Sequence, residues 1–284
     1  AIGNFDGLHL GHRKVISEAK QKAKKKNIPF GVMTFEPVPV MFFNKKIKNH
    51  RINSLEQKKI HLKKFKLDFL IIIKFNKKFS SQSPEQFIKK IIFKKTKCKY
   101  LYVSKNFKFG FKRQGNISTL KKFEKKYNFK NIVTQPFKKN NKTISSTFIR
   151  KKISLGKIEE VNRLLGRSWC IVGKVIKGQR RGRKIGFPTC NLKLNDYVVP
   201  KRGVYAVKVK SNNFYKNGIA NVGYRPTFKG QKLLLETNIF GINKNLYNKV
   251  IGINFKKFIR PEKKFRNLKY LKKQIQLDIK QAKK

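Results

Sequence analysis

Apolar residues in the first half of the chain gather in short runs at 30–35 (FGVMTF), 69–75 (FLIIIKF), 100–103 (YLYV) and 131–133 (NIV). Each run has the length of a strand, and the stretches between them carry helix-start signals. Ser54-Leu-Glu-Gln57 has the form of a capping box, and Ser83-Pro84-Glu85-Gln86 adds Pro at the first helical position. Apolar strands separated by helices predict a parallel sheet covered on both faces, a Rossmann-like α/β domain. After about residue 168 the pattern changes. Runs at 169–176, 203–209, 215–222, 233–240 and 246–255 follow one another across Gly- and Asn-rich turns. Closely spaced strands with turn signals predict an antiparallel β-barrel or sandwich. Beyond Asn267, Leu268, Leu271, Ile275 and Ile279 recur at helical spacing, which predicts a C-terminal helix packed on the barrel. The expected domains are 1–150 and 168–284, joined by a helical connector at 151–167.

Length and composition sharpen this picture. A chain of 284 residues holds two ordinary domains, and 39% hydrophobic with 12% aromatic residues marks folded material. The longest apolar run, 69–75, contains Lys74 and is too short to cross a bilayer, and the first residues lack a signal-peptide pattern. Cys98, Cys170 and Cys190 form no C-x-x-C pair, which points to reduced thiols and a cytoplasmic setting. Four histidines beside so few cysteines do not build a multi-site zinc protein. The charge is extreme: 72 basic against 13 acidic residues, net +59. Such a surface collects phosphates. Lysines nevertheless outnumber arginines and spread over every segment, whereas dedicated nucleic-acid sites favour the arginine fork. Compositional drift is the preferred reading, with weak, nonspecific RNA association as its side effect.

Two segments carry chemistry. The string Gly3-Asn4-Phe5-Asp6-Gly7-Leu8-His9-Leu10-Gly11-His12 ends a strand, turns and opens a helix. His9 and His12 share one face of that helix start, whose free N–H groups and dipole favour anions, and Gly11 lets a phosphate approach the backbone. This suits a nucleotide triphosphate, with both histidines donating to oxygens that gain charge in the transition state. Asp6 reads equally as a helix cap or as a polar partner near substrate. Ser145, Ser146, Thr147 and Arg150 open a later helix and offer donors to phosphate, or simply cap it. In the second half, Gly186-Phe187-Pro188-Thr189-Cys190-Asn191 follows Gly178 and Gly182, and no Walker-type loop occurs in the chain. If extended, Thr189 and Asn191 point the same way and reach one hard cation; the bland alternative is a capped Pro turn. Glu236 is an acidic residue in a Leu-rich strand of a carboxylate-poor protein, a candidate general base or one half of a salt bridge.

The first string resembles the H-x-G-H signature of the cytidylyltransferase-like nucleotidyltransferases. Within that superfamily, residues 34–39 (TFEPVP), 104–110 (SKNFKFG) and 144–150 (ISSTFIR) resemble elements of bacterial FAD synthetases. Val38 stands where that family usually has His, and Ser104 where it has Gly. Residues 178–191 (GQRRGRKIGFPTCN), 200–207 (PKRGVYAV), 221–228 (NVGYRPTF), 235–237 (LET) with Leu246-Tyr247, and 260–265 (RPEKKF) resemble riboflavin kinases. Cys190 replaces the usual Ala, and Asn238 the usual His. The resemblance implies a nucleotidyltransferase domain followed by a riboflavin kinase barrel, acting on riboflavin, FMN and ATP with Mg²⁺ and forming FMN and FAD. It implies His9, His12 and Glu236 as catalytic. Gly3, Phe5, Asp6, Gly11, Asn106, Ser145, Ser146, Thr147 and Arg150 would contact ATP in the first domain. Gly178, Gly182, Gly186, Phe187, Pro188, Arg225 and Arg260 would contact ATP or flavin in the second, with Thr189 and Asn191 on the metal. A kinase whose adenylyltransferase half has decayed or changed substrate, and a basic RNA-associating protein on this scaffold, are the rival readings. The family also carries further residues ahead of its first motif. Only Ala1 and Ile2 precede the Gly3 turn here, so residue 1 is expected not to be the natural start, and the first domain to be weakened by its short strand.

Overall fold

The apolar runs of the first half form β1 (Gly31–Glu36), β2 (Phe69–Lys74), β3 (Tyr100–Ser104) and β4 (Lys130–Thr134) in the computed structural model, which describes residues 1–139, 142–178, 181–227, 230–242 and 244–283. The chain divides into two units: Ala1–Lys48 with Leu55–Ser145, and Asn49–Ser54 with Ser146–Lys284. In the first unit β1 and β2 pair in parallel, as do β3 and β4. Residues 1–3 join the two pairs. Ile2 bridges Met33 in parallel and donates its N–H to the Tyr102 carbonyl at 3.0 Å, while Gly3 N–H reaches the Met33 carbonyl at 3.1 Å. The order across the sheet is therefore β2, β1, residues 1–3, β3, β4, and the short central segment is bonded on both sides.

Helices α1 (Leu10–Lys26), α2 (Pro39–Phe43), α3 (Leu55–Lys63), α4 (Lys77–Ser80), α5 (Pro84–Phe87) and α6 (Ile117–Phe123) fill the connections. Alternate strand residues feed two separate cores, as a sheet covered on both faces requires. Val32, Leu70 and Tyr102 pack with Val15, Ile16 and Ala19 of α1 and Leu62 of α3. Met33, Phe35, Leu101 and Val103 pack with Phe87, Ile88, Ile92 and Leu120 on the other side. The expected capping box at Ser83 is present: the Gln86 N–H donates to Ser83 Oγ at 3.1 Å, and the Ser83 N–H to Gln86 Oε1 at 3.0 Å. Beyond α5 the helix widens into a π-helix over Ile88–Lys95, which no hydrophobic periodicity distinguishes from an α-helix. A small hairpin, β5 (Lys138–Lys139) and β6 (Lys142–Thr143), ends the unit.

The second unit begins with α7 (Ser146–Ser154) and α8 (Ile158–Leu165). Strands β7 (Cys170–Lys174), β8 (Cys190–Lys193), β9 (Gly203–Ser211), β10 (Phe214–Thr227), β11 (Gly230–Ile239) and β12 (Val250–Arg260) form an antiparallel sheet in the order β7-β12-β9-β10-β11-β8. Its edges approach each other where Ile176 bridges Asn191, making a near-barrel. Trp169, Tyr205 and Phe255 are fully buried at its centre, with ring centroids of Trp169 and Phe255 4.8 Å apart. The segment Asn49–Ser54 belongs here because Trp169 Nε1 donates to the Ile52 carbonyl at 2.9 Å.

Two expectations are corrected. The run at 246–255 becomes strand only from Val250, because residues 246–249 turn through Asn248 at φ 63°. The segment after Pro188, readable as a turn, becomes β8 from Cys190 once β11 supplies its hydrogen bonds. The terminal helix α10 (Leu268–Lys283) packs on β9, β10 and β12 as expected; Leu271, Ile275 and Ile279 are partly buried, Leu268 is 62% exposed, and the most buried residue is Asp278. Asp278 accepts from Arg260 Nε at 2.9 Å and Nη2 at 2.7 Å, and from Gln274 Nε2 at 2.9 Å. A short α9 (Arg181–Lys184) precedes β8. Among the described residues no helix is long and apolar enough to cross a membrane.

Candidate active sites

The first site lies where residues 1–3 leave the sheet. The chain passes through α1 to β1 on one side and later to β3 on the other, so this turn occupies the switch-point crevice in which open α/β sheets hold ligands. The turn is strained. Phe5 (φ 47°) and Leu8 (φ 41°) both adopt the left-handed region, and burial at 2% and 3% exposure holds them there. Each costs about 1–2 kcal/mol, a deviation that clusters at ligand sites. It delivers His9 to the N-cap of α1, where Nδ1 accepts the His12 N–H at 3.3 Å. The two imidazoles stack, centroids 3.7 Å apart and 21° between planes, and the Phe5 ring meets His12 edge-on at 5.3 Å. No acidic residue occupies the first turn of α1, and Lys24–Lys26 close its last; the dipole at the start of such a helix favours an anion. Gly11 faces the His9 ring: a Cβ there would lie 3.2 Å from its atoms and 3.5 Å from the Ile144 carbonyl.

Gly3 begins the turn, and Asp6 is buried within it. Asn106 is exposed in the turn after β3, and Ser145 is exposed at the end of the unit. Ser146, Thr147 and Arg150 stand in the first turns of α7, with Arg150 Nε donating to the His50 carbonyl at 2.8 Å. Val38 is buried just before α2, in keeping with an apolar residue at a position usually held by His. Sequence reasoning missed Lys58. Its side chain is buried, and Nζ donates to the Asn4 carbonyl at 2.9 Å and to Thr34 Oγ1 at 3.3 Å, bracing the histidine turn from α3. Among 72 basic residues nothing in its neighbourhood singles it out.

The second site is a row across three strands. Asn221 of β10 pairs with Glu236 of β11, which pairs with Asn191 of β8. The next row, Val222, Leu235 and Leu192, is wholly buried in the core, so the Asn221–Glu236–Asn191 row lies on the opposite, outer face. Glu236 is half-buried and accepts from Arg225 Nε at 2.9 Å and Nη2 at 2.6 Å, both on Oε2. Arg225 Nη1 reaches Glu262 Oε1 at 3.3 Å. Burial pulls the Arg225 guanidinium down, but the two carboxylates more than offset this and hold it above its ordinary value. Asn191 Oδ1 is buried without a hydrogen-bond partner among the described residues. A Cβ on Gly178 would overlap the Asn191 amide nitrogen, so the glycine lets that side chain lie against the backbone.

Gly182 accepts the Phe187 N–H at 2.8 Å, shaping the turn that leads through Gly186 and Pro188 to the exposed Thr189. Asn238, in place of the usual His, donates to the Pro188 carbonyl at 2.7 Å and ties this turn to β11. An orphaned amide oxygen beside a hydroxyl two residues away suits a hard cation. No cluster of three His, Cys, Asp or Glu exists among the described residues, so Mg²⁺ here would depend on Asn191, Thr189 and substrate phosphates. Arg260 is placed elsewhere: its guanidinium is committed to Asp278. Gln179, Arg180 and Phe228, part of the motifs quoted above, lie outside the described residues.

Residues 1–148 match the family model described as FAD synthetase, and residues 165–284 that described as riboflavin kinase. The chain is 43% identical to a bifunctional riboflavin kinase/FMN adenylyltransferase of Buchnera aphidicola subsp. Schizaphis graminum, covering 100% of this chain and 92% of that protein. The chain belongs to the bifunctional riboflavin kinase/FMN adenylyltransferase family. Family members so named from Haemophilus influenzae and Bacillus subtilis are 40% and 39% identical, each over 99% of this chain and 92% and 90% of their own. A crystal structure described as a macrolide-efflux protein from Streptococcus pneumoniae shares the family fold, with TM-score 0.88 at 29% identity over 99% of this chain and 92% of that one. The bifunctional family accounts for both chemical segments at once, one in each matched half.

Proposed function

We infer that this chain phosphorylates riboflavin to FMN with one ATP and adenylylates FMN to FAD with a second, releasing pyrophosphate. The observation that carries the reading is that each half has a polar site of its own, a stacked histidine pair in one and a carboxylate between two amides in the other. In the kinase step Glu236 takes the proton of the primary alcohol as it attacks the γ-phosphorus. Thr189 and Asn191 would hold a Mg²⁺, which when bound would neutralise charge on the phosphates. Arg225 pairs with Glu236 at 2.6 Å and holds its carboxylate in place. Gly178, Gly182, Gly186, Phe187 and Pro188 shape the nucleotide side. In the adenylyl step the FMN phosphate attacks the α-phosphorus of ATP while His9 and His12 donate to the oxygens that gain charge. Asp6, Asn106, Ser145, Ser146, Thr147 and Arg150 are assigned to the nucleotide on the strength of the family motifs.

Residues 1–150 are assigned to the adenylyltransferase and 168–284 to the kinase, in the cytoplasm. The +59 charge adds weak, sequence-blind RNA association that high salt removes. The deciding experiment incubates purified protein with riboflavin, ATP and Mg²⁺ and separates the flavins over time. FMN followed by FAD is expected; FMN alone would leave the histidine site without its assigned reaction.

A further inference from the structure

Beside Glu236, on the side away from Asn191, a second buried acceptor stands unused. Asn221 Oδ1 is buried and has no hydrogen-bond partner among the described residues. Its orientation is settled by chemistry. The other end of the amide, Nδ2, faces Glu262 Oε1 at 3.2 Å, and a carboxylate only accepts, so the NH₂ group must be at that end and the oxygen at the other. Glu262 is held for this purpose. Its carboxylate also accepts from Arg225 Nη1 at 3.3 Å, and it lies against Gly223, where a Cβ would overlap it. Asn221 and Gly223 are two apart on β10 and so share the outer face.

A buried acceptor with no partner costs stability and is satisfied when a donor arrives. The cation side of the row is already defined by Asn191. Asn221 stands two strands away from it, roughly 9–10 Å, so one Mg²⁺ with bonds of about 2 Å is not shared between two side chains held this far apart. What lies next to a general base, on the side away from the phosphates, is the alcohol. Resting on the kinase reading of this site, we propose that Asn221 Oδ1 accepts a hydrogen bond from a secondary hydroxyl of the flavin's polyol chain. The contact positions the terminal alcohol against Glu236, and Glu262 acts through Asn221 as a positioning residue.

The test uses the full chain and three measurements. Asn221→Leu, which keeps the volume and removes the acceptor, is expected to raise the riboflavin KM roughly tenfold while the KM for ATP stays within about twofold. Flavin fluorescence titration without ATP should show the same loss of affinity. Wild type and Asn221→Leu should bind equally a flavin whose side chain keeps only the terminal hydroxyl, because the partner hydroxyl is gone from it. Glu262→Gln should raise the riboflavin KM by a smaller factor and leave kcat within about twofold, since an amide no longer dictates which end of Asn221 faces it. Asn221→Ala, checked for its melting temperature, replaces the Leu variant if the latter does not fold. Unchanged flavin affinity in a folded Asn221 variant overturns the proposal, as does an effect confined to ATP. A wild-type protein that phosphorylates no riboflavin overturns instead the reading on which the proposal rests, so the two failures are told apart.

Discussion

At the histidine site the chemistry comes from one contiguous stretch, residues 3–12, bent through two strained residues onto the start of α1. At the Glu236 site it comes from three strands, and Asn221, Glu236 and Asn191 become neighbours only because β10, β11 and β8 pair in one register. The first arrangement depends on local backbone conformation and a helix terminus. The second depends on the whole sheet, because a slip of one residue in β8 or β11 would turn its side chains from the outer face into the core. The two sites should therefore fail separately, and in different ways, when single groups are removed.

The largest separation is expected from Glu236→Gln. It keeps shape and removes the proposed base, so riboflavin phosphorylation should fall by roughly 10²–10⁴-fold, while FAD formation from supplied FMN should stay at the wild-type rate. Steady-state rates of the two half-reactions decide it. A variant that phosphorylates riboflavin normally would reduce Glu236 to the ion-pair partner of Arg225.

The reciprocal change is His9→Ala with His12→Ala, which should lower FAD synthesis roughly 10²–10³-fold and leave FMN formation intact. His9 has a second role as the N-cap of α1, and its loss should cost about 1 kcal/mol in a thermal melt. His9→Asn sharpens the point, because it restores a capping oxygen without restoring the imidazole. Recovered stability with activity still lost is the expected outcome. Recovered activity would mean that His9 serves only to start the helix.

What was legible from the residues follows the same contrast. The histidine string could be read directly because its members are adjacent, and the covered sheet because apolar runs and capping signals alternate within each run's own length. The row at Glu236 was legible only in part. Asn191 and Glu236 were each conspicuous, but their pairing depends on β8, which follows the Gly186–Pro188 turn and becomes a strand only where β11 provides its partner. Asn221 carried no signal apart from its motif, since an orphaned oxygen exists only in three dimensions. Arg260 stands out as a ligand residue only through the resemblance of residues 260–265 to riboflavin kinases; the buried Asp278 that takes up its guanidinium lies eighteen residues on, in a helix whose apolar spacing gave no hint of a buried acid. Likewise, residues 49–54 join the second unit through Trp169, a contact across 117 positions that no local pattern encodes.

A smaller and more graded difference is expected between two glycines. At Gly11 an added Cβ would lie 3.2 Å from the His9 ring, which can shift by a few tenths of an ångström. At Gly178 it would overlap the Asn191 amide, which is buried and cannot retreat. Gly178→Ala should thus raise the Mg²⁺ concentration needed for half-maximal riboflavin phosphorylation about tenfold, the scale of a disturbed neighbour to a metal ligand. Gly11→Ala should change the ATP requirement of FAD synthesis by less than that. Mg²⁺ titrations of both half-reactions compare the two directly. An unchanged Mg²⁺ requirement in Gly178→Ala would remove Asn191 from the metal.

The smallest effect concerns Cys190, which lies one residue from Asn191 but on the opposite face, with Sγ donating to the Thr237 carbonyl at 3.4 Å. Burial pushes its thiol up from 9.0 to about 12. The native thiol therefore stays neutral and unreactive at neutral pH, and Cys190→Ala should leave both half-reactions within about twofold while costing about 1 kcal/mol of lost packing. The pH dependence is the sharper observable. Above pH 9 the unfolded thiol ionises while the native one keeps its proton, so unfolding releases a proton and stability falls as pH rises. The thiol's contribution is complete below pH 9 and is lost progressively up to about 12. Removing it should make the decline of stability between pH 9 and 12 shallower by up to about 1.4 kcal/mol per pH unit relative to wild type. Urea unfolding of both proteins at closely spaced alkaline pH values measures this difference. Parallel curves would show that the Cys190 thiol ionises alike in the folded and unfolded chains, and that the row at Glu236 is less closely sealed from behind than its buried neighbours indicate.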